Sequence, residues 1–150
     1  METTVIVRRA VPADLEALLP LVSAYRRFYG QPSDPAGEGR FMAKHLRDDS
    51  SVVFFARCEG SAAGFVQLFE SWSTVWLAPV LLLEDLFVDE AYRDRGIATQ
   101  LINAAVSFAR EAGAVAMFLE TAADNERAQA VYEREGWRRE EQFVKYNAPL

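Results

Sequence analysis

The sequence predicts a mixed α/β domain, one sheet with helices laid on its faces. Three observations carry that expectation. Apolar residues recur at period two in some short segments and at helical spacing in others, in the order β-α-α-β-β-β-α-β-α-β. Two of the strand-like segments flank Glu59-Gly-Ser61 and read as a hairpin. The segments at 80–88 and 115–119 are separated by a helix, so they must form one parallel, right-handed β-α-β crossover.

Val5, Ile6 and Val7 start the order as a short strand. Pro12-Ala-Asp14 then opens an amphipathic helix with apolar residues at Leu15, Leu18, Leu19, Val22 and Tyr25. Residues 31–39 are the one stretch rich in Pro and Gly and read as a loop inside the domain, with a short helix at 41–46. Residues 51–57 and 63–69 are the arms of the hairpin, and 80–88 reads as a long buried strand interrupted by Glu84 and Asp85. Ile97, Leu101, Ala104, Ala105 and Phe108 recur at helical spacing until Gly113 stops the helix. Residues 115–119 form a strand, 125–135 a helix ending at Gly136, and Phe143-Val-Lys-Tyr146 closes the order as a strand.

With 150 residues, 51% of them hydrophobic and 25% charged, the chain suits one globular domain over 1–150, able to bury about 70% of its unfolded surface. No apolar run approaches the roughly 20 residues a membrane span needs, and the first residues lack a signal-peptide core, so the expectation is a cytoplasmic protein with no membrane partner. A net charge of −6 speaks against nucleic-acid binding, which needs a basic stripe, and suits a cationic small substrate. The single cysteine, Cys58, excludes a disulfide framework and a multi-thiolate zinc site; no metal is expected. Trp72, Trp76, Trp137 and the Phe143 segment offer apolar surface, which predicts a homodimer.

The chemistry concentrates between Leu83 and Leu101. An apolar strand runs into Arg93-Asp-Arg-Gly-Ile-Ala98 and then into a helix. Gly96 and Ala98 leave no bulk where a backbone approaches a ligand, Arg93 and Arg95 bring positive charge, and the first helical turn leaves N–H groups for an anion. Taken alone, such a loop is also a plain strand-to-helix turn with solvated arginines. Glu84 and Asp85 need a reason to stand in a buried strand. Strand alternation sends them to opposite faces, so they are not expected to act as a close pair.

Arg93-x-x-Gly96-x-Ala98, followed downstream by Asn125-x-x-Ala128-x-x-x-Tyr132-x-x-x-Gly136-Trp137, resembles the GNAT superfamily of acyl-CoA-dependent N-acyltransferases over most of the chain. Leu83-Glu-Asp-Leu-Phe-Val88 is similar to the matching strand of the spermidine/spermine (diamine) N-acetyltransferases. The resemblance implies a mixed, mostly antiparallel sheet with helices on both faces and one parallel crossover. It implies acetyl-CoA as cofactor, held by backbone groups of Leu86, Phe87 and Val88, by Arg93, Asp94, Arg95, Gly96, Ile97, Ala98 and Thr99, and by Asn125 and Ala128. One departure is Asp94, an acid beside a pyrophosphate, whose side chain is expected to turn outward.

The reaction implied is direct attack of a small-molecule amine on the acetyl thioester. An amine of pKa near ~10.4 is almost wholly ammonium at neutral pH, and freeing the nucleophile costs roughly 4–5 kcal/mol. A carboxylate with a pKa raised by burial serves as the base, and Glu84 is the candidate. Tyr132 is implied as the acid that meets the departing thiolate. On spacing alone it is a core aromatic, and Asn125 or Asp124 a helix cap. Substrate contacts are expected from Phe28, Tyr29, Glu84, Asp85 and Glu120, with Tyr29 standing where an acid would suit a polycation. Acetylation of a protein or peptide, and a non-catalytic acyl-CoA-binding module, remain alternatives.

Overall fold

The computed structural model describes residues 4–150, which divide into two compact units, one ending at Glu120 and the other spanning Thr121–Leu150. The first unit holds a five-stranded sheet in sequential order: β1 (Val5–Arg9), β2 (Val52–Cys58), β3 (Ser61–Ser73), β4 (Ala78–Val88) and β5 (Met117–Leu119). The first three pairings are antiparallel and β4 with β5 is parallel, bridged by α3 (Ile97–Glu111), as the crossover rule requires. The β2–β3 hairpin closes through Glu59 and Gly60, both at positive φ (56° and 81°), the arrangement whose twist matches two antiparallel strands.

Helices cover both faces. α1 (Leu15–Phe28) and α2 (Pro35–Asp48) bury Leu18, Leu21, Val22, Met42 and Leu46 against Val53, Phe55, Phe65 and Phe87. The neighbouring residue on β2, Phe54, points the other way and meets Phe108 of α3 at 6.1 Å between rings. Gly64 lets β3, β4 and α3 close up: a Cβ there would lie 2.7 Å from the Phe87 carbonyl oxygen and 3.3 Å from Leu101.

Two elements differ from expectation. The second helix begins at Pro35 and takes in Pro35–Gly39, because Pro35 stands in the first turn where its missing N–H costs nothing, and Asp34 caps the Gly37 N–H at 3.0 Å. Gly37 makes room for that cap, since a Cβ would strike the Asp34 carboxylate. Residues 143–146 form no strand. The second unit holds one helix, α4 (Glu126–Arg134), and no strand to pair with, so Phe143, Val144 and Tyr146 stay exposed.

Asp14 ties the start of α1 to the sheet. Arg8 donates to both of its oxygens, at 2.8 and 2.6 Å, and the Val11 N–H donates at 2.8 Å. The Arg8 guanidinium holds this carboxyl below its ordinary range despite its burial. Its folded pKa lies under the unfolded value near ~3.9, so the stabilisation is complete above that pH and is lost as pH falls through the folded value. Asp14→Asn should lower Tm at pH 7 by about 4–8 °C, and thermal melts should show the gap from wild type closing below about pH 3.

Candidate active site

The site begins where the sheet stops being a sheet. β4 pairs with β5 only from Leu81 opposite Met117 to Leu83 opposite Leu119; β5 then ends while β4 runs on to Val88. From Glu84 onward one edge of β4 lies outside any ladder, and an unpaired edge offers N–H and C=O groups to an extended ligand. At the same point the β3–β4 register slips: Gln67 faces Asp85 and Leu68 faces Leu83, leaving Glu84 as the extra residue of a β-bulge. The bulge overturns the expectation that both carboxylates are buried. Glu84 is exposed, and only Asp85 is half-buried.

Asp85 is held by neutral donors. Gln67 Nε2 donates to Oδ2 at 2.9 Å, and the Tyr25 phenol hydrogen-bonds to the same carboxyl. Ser51 Oγ in turn donates to Gln67 Oε1 at 2.9 Å. Burial pushes the Asp85 carboxyl above its ordinary pKa, against the pull of both hydrogen bonds. Burial and the neighbouring Asp85 push the Tyr25 phenol up as well, so it stays protonated. A line of rings joins this group to the end of α1. Tyr25 lies 5.8 Å from Phe87 and 5.1 Å from Tyr29, and Tyr29 lies 5.3 Å from Phe28. Phe28 and Tyr29 are exposed there, and Glu120 is exposed just beyond β5.

After Val88 the chain turns through a short 3-10 helix, Glu90–Tyr92, capped by Asp89, and enters α3. Asp94 and Gly96 both adopt positive φ, 61° and 74°. Gly96 sits at the N-cap of α3 and supplies no capping side chain, so the N–H groups of Ile97 and Ala98 leave the helix end with the positive pole of its dipole. This arrangement fits a pyrophosphate. The arginines behave otherwise than their charge suggests. Arg93 Nε donates back to the Val88 carbonyl at 3.1 Å, with its guanidinium 5.8 Å from the Phe87 ring. Arg95 reaches the Ala91 carbonyl and Glu59, each at 3.5 Å, and lies over Tyr92. Both side chains brace the loop. Asp94 is exposed.

In the second unit, Asn125 Oδ1 accepts the Ala128 N–H at 3.1 Å and caps α4. The capping alternative for Asn125 is therefore realised, and Ala128 spends its N–H on it. Seven residues on, two helical turns along the same face, the half-buried Tyr132 stands 6.0 Å from the Trp137 ring, and its carbonyl accepts the Trp137 N–H at 3.0 Å.

Sequence reasoning passed over Tyr25, Ser51, Gln67 and Gly64. Tyr25 read as an apolar helix position. Gln67 and Gly64 did leave a signal: an amide inside the apolar run Phe65–Phe69, and a glycine inside a strand.

An open strand edge leading into a capless helix start is a place to hold an extended ligand that ends in phosphate. Residues 18–137 match the Acetyltransferase (GNAT) family, to which the chain therefore belongs. It is an N-acetyltransferase with acetyl-CoA as donor. It is 35% identical over 140 residues to an uncharacterized N-acetyltransferase, YhfO, of Bacillus subtilis (strain 168), spanning 93% of this chain and 94% of that one. The aminoglycoside N(6')-acetyltransferase type 1 of Salmonella typhimurium (strain LT2) is 31% identical over 78% of this chain and 81% of its own length. The crystal structure of a probable acetyltransferase superposes with a TM-score of 0.92 at 37% identity, covering 97% of each chain.

Two outcomes follow from the geometry. Gly64→Val should push β4 away at Phe87 and Val88, and calorimetry should find acetyl-CoA binding weakened about tenfold or more. Asp85→Asn removes a charge whose burial is uncompensated by a cation, so at pH 7 it should raise Tm by about 2–4 °C while lowering activity.

Proposed function

We propose that the protein acetylates a primary amine of a small molecule, with Glu84 and Tyr132 moving the protons. The observation that carries this reading is the carboxylate pair at the bulge, where Glu84 is open to solvent and Asp85 is half-buried, three to four residues before the Val88 end of the free β4 edge.

Leu86, Phe87 and Val88 hold the donor's acyl arm through their backbone, and the N–H groups from Asp94 to Thr99 hold its pyrophosphate. Asn125 adds a contact through its side-chain NH2, which the cap leaves available. Bound acetyl-CoA supplies a thioester carbonyl carbon that an uncharged amine attacks, giving an amide and a free thiol. Glu84, directly or through a water, takes the proton that the ammonium must lose. Tyr132 gives its phenolic proton to the departing sulfur and recovers one from solvent, which takes up the second proton that the nitrogen sheds as the amide forms. Phe28, Tyr29, Asp85 and Glu120 receive the amine substrate, which fits a diamine, a polyamine or an amino-acid-like compound. The aminoglycoside-modifying relative supports small amines as the substrate class. The exposed Trp72 and Trp76 support a homodimer, and the mode of action suits the cytoplasm.

Thiol release from acetyl-CoA against diamines, polyamines, amino acids, aminoglycosides and peptides tests this reading. Rapid release is expected with one small-amine class. Glu84→Gln should cut kcat/KM about 10²-fold or more. Tyr132→Phe should lower kcat far more than donor affinity. Binding of acetyl-CoA without release on any small amine would overturn the assignment.

A further inference from the structure

The two buried carboxylates among the described residues of the first unit each carry their own cation. Asp14 is paired with Arg8 and Glu38 with Arg26, at 2.6 and 2.7 Å. Asp85 appears in none of the ion pairs among the described residues. Its partners are an amide and a phenol, which orient a carboxylate and leave its charge intact.

The orientation is over-determined. Gln67 on β3 and Ser51, immediately before β2, are both buried, at 3% and 7% exposure. A carboxylate next to the amide accepts only its NH2 end, which turns Oε1 towards Ser51, and the Ser51 hydroxyl donates to it. Tyr25 approaches from α1 and carries the ring line through Tyr29 to solvent. A fixed, half-desolvated anion bordered by aromatic rings is chemistry that selects a cation.

We propose that Ser51, Gln67 and Tyr25 are positioning residues that hold Asp85 as an anchor for a second cationic centre of the substrate, distinct from the amine that Glu84 deprotonates. The preferred substrates then carry at least two positive charges. This deepens the small-amine reading above and rests on it for the identity of the reaction, while the anchor itself can be read without turnover.

The test compares 1,4-diaminobutane with n-butylamine as probes, following the carbon-13 carboxyl resonance of Asp85 in the presence of coenzyme A. The wild type should bind the dication about tenfold more tightly than the monocation, and the dication should shift the Asp85 resonance. Gln67→Leu and Ser51→Ala should shrink that preference to about two- to threefold, with coenzyme A affinity by calorimetry unchanged. Ser51→Ala removes one hydroxyl, so it carries the test if Gln67→Leu does not fold. Equal binding of the two probes by the wild type overturns the proposal, as does a full preference retained in the folded variants. Thiol release that occurs without any dication preference sinks the anchor alone. A dication preference without thiol release on any amine upholds the anchor and sinks the acetylation of small amines.

Discussion

The arrangement depends on one constraint: the β4–β5 ladder stops at Leu83 while β4 does not. A strand with both edges paired has no backbone groups left for a ligand. Ending the ladder after three residue pairs frees one edge of β4 from Glu84 to Val88 and leads directly into the loop before α3. The slip at Gln67 and Leu68 falls at the same residue, so the strand changes register where it loses its neighbour. The free strand edge and the start of α3 then follow one another along the chain from Glu84 to Thr99, with the rest of the sheet and the helices packed on it serving as their mount.

That mount tolerates a cost at Asp85. The other buried carboxylates repay their desolvation by joining elements, Asp14 at the start of α1 and Glu38 between α1 and α2. Asp85 joins nothing through a cation, and its raised pKa records that the protein destabilises the ionised form. Local destabilisation that persists among well-satisfied neighbours is a common mark of a working site. The aromatic line from Phe28 to Phe87 gives the same region its rigidity without adding charge.

Much of this was legible in the residues, for physical reasons that differ by element. The strand-loop-helix passage from Leu83 to Leu101 showed itself because glycine, arginine and an abrupt change of period stand together. The hairpin showed itself because Glu59-Gly60 must take positive φ. Pro35 hid the start of α2, since proline and two glycines look like a loop until Asp34 is seen capping them. The bulge was invisible: strict alternation gives Glu84 and Asp85 opposite faces, and a register slip depends on the partner strand. Arg93 and Arg95 were read by charge, whereas their geometry depends on carbonyls at Val88 and Ala91 that only the fold brings near. The closing strand failed for the opposite reason, because a period-two segment with no neighbour has no ladder to join.

The bracing of the loop bears on how an anionic donor arrives. Between Asp89 and Arg95 the chain carries three acids, Asp89, Glu90 and Asp94, against the two arginines, within a protein of net charge −6. Such a surface provides no long-range electrostatic funnel, and diffusion brings the donor in unaided. What the helix start offers an anion acts at short range, through backbone dipoles. Dissolved salt then screens a repulsion rather than an attraction, so a higher ionic strength favours the encounter of this acidic chain with an anionic donor.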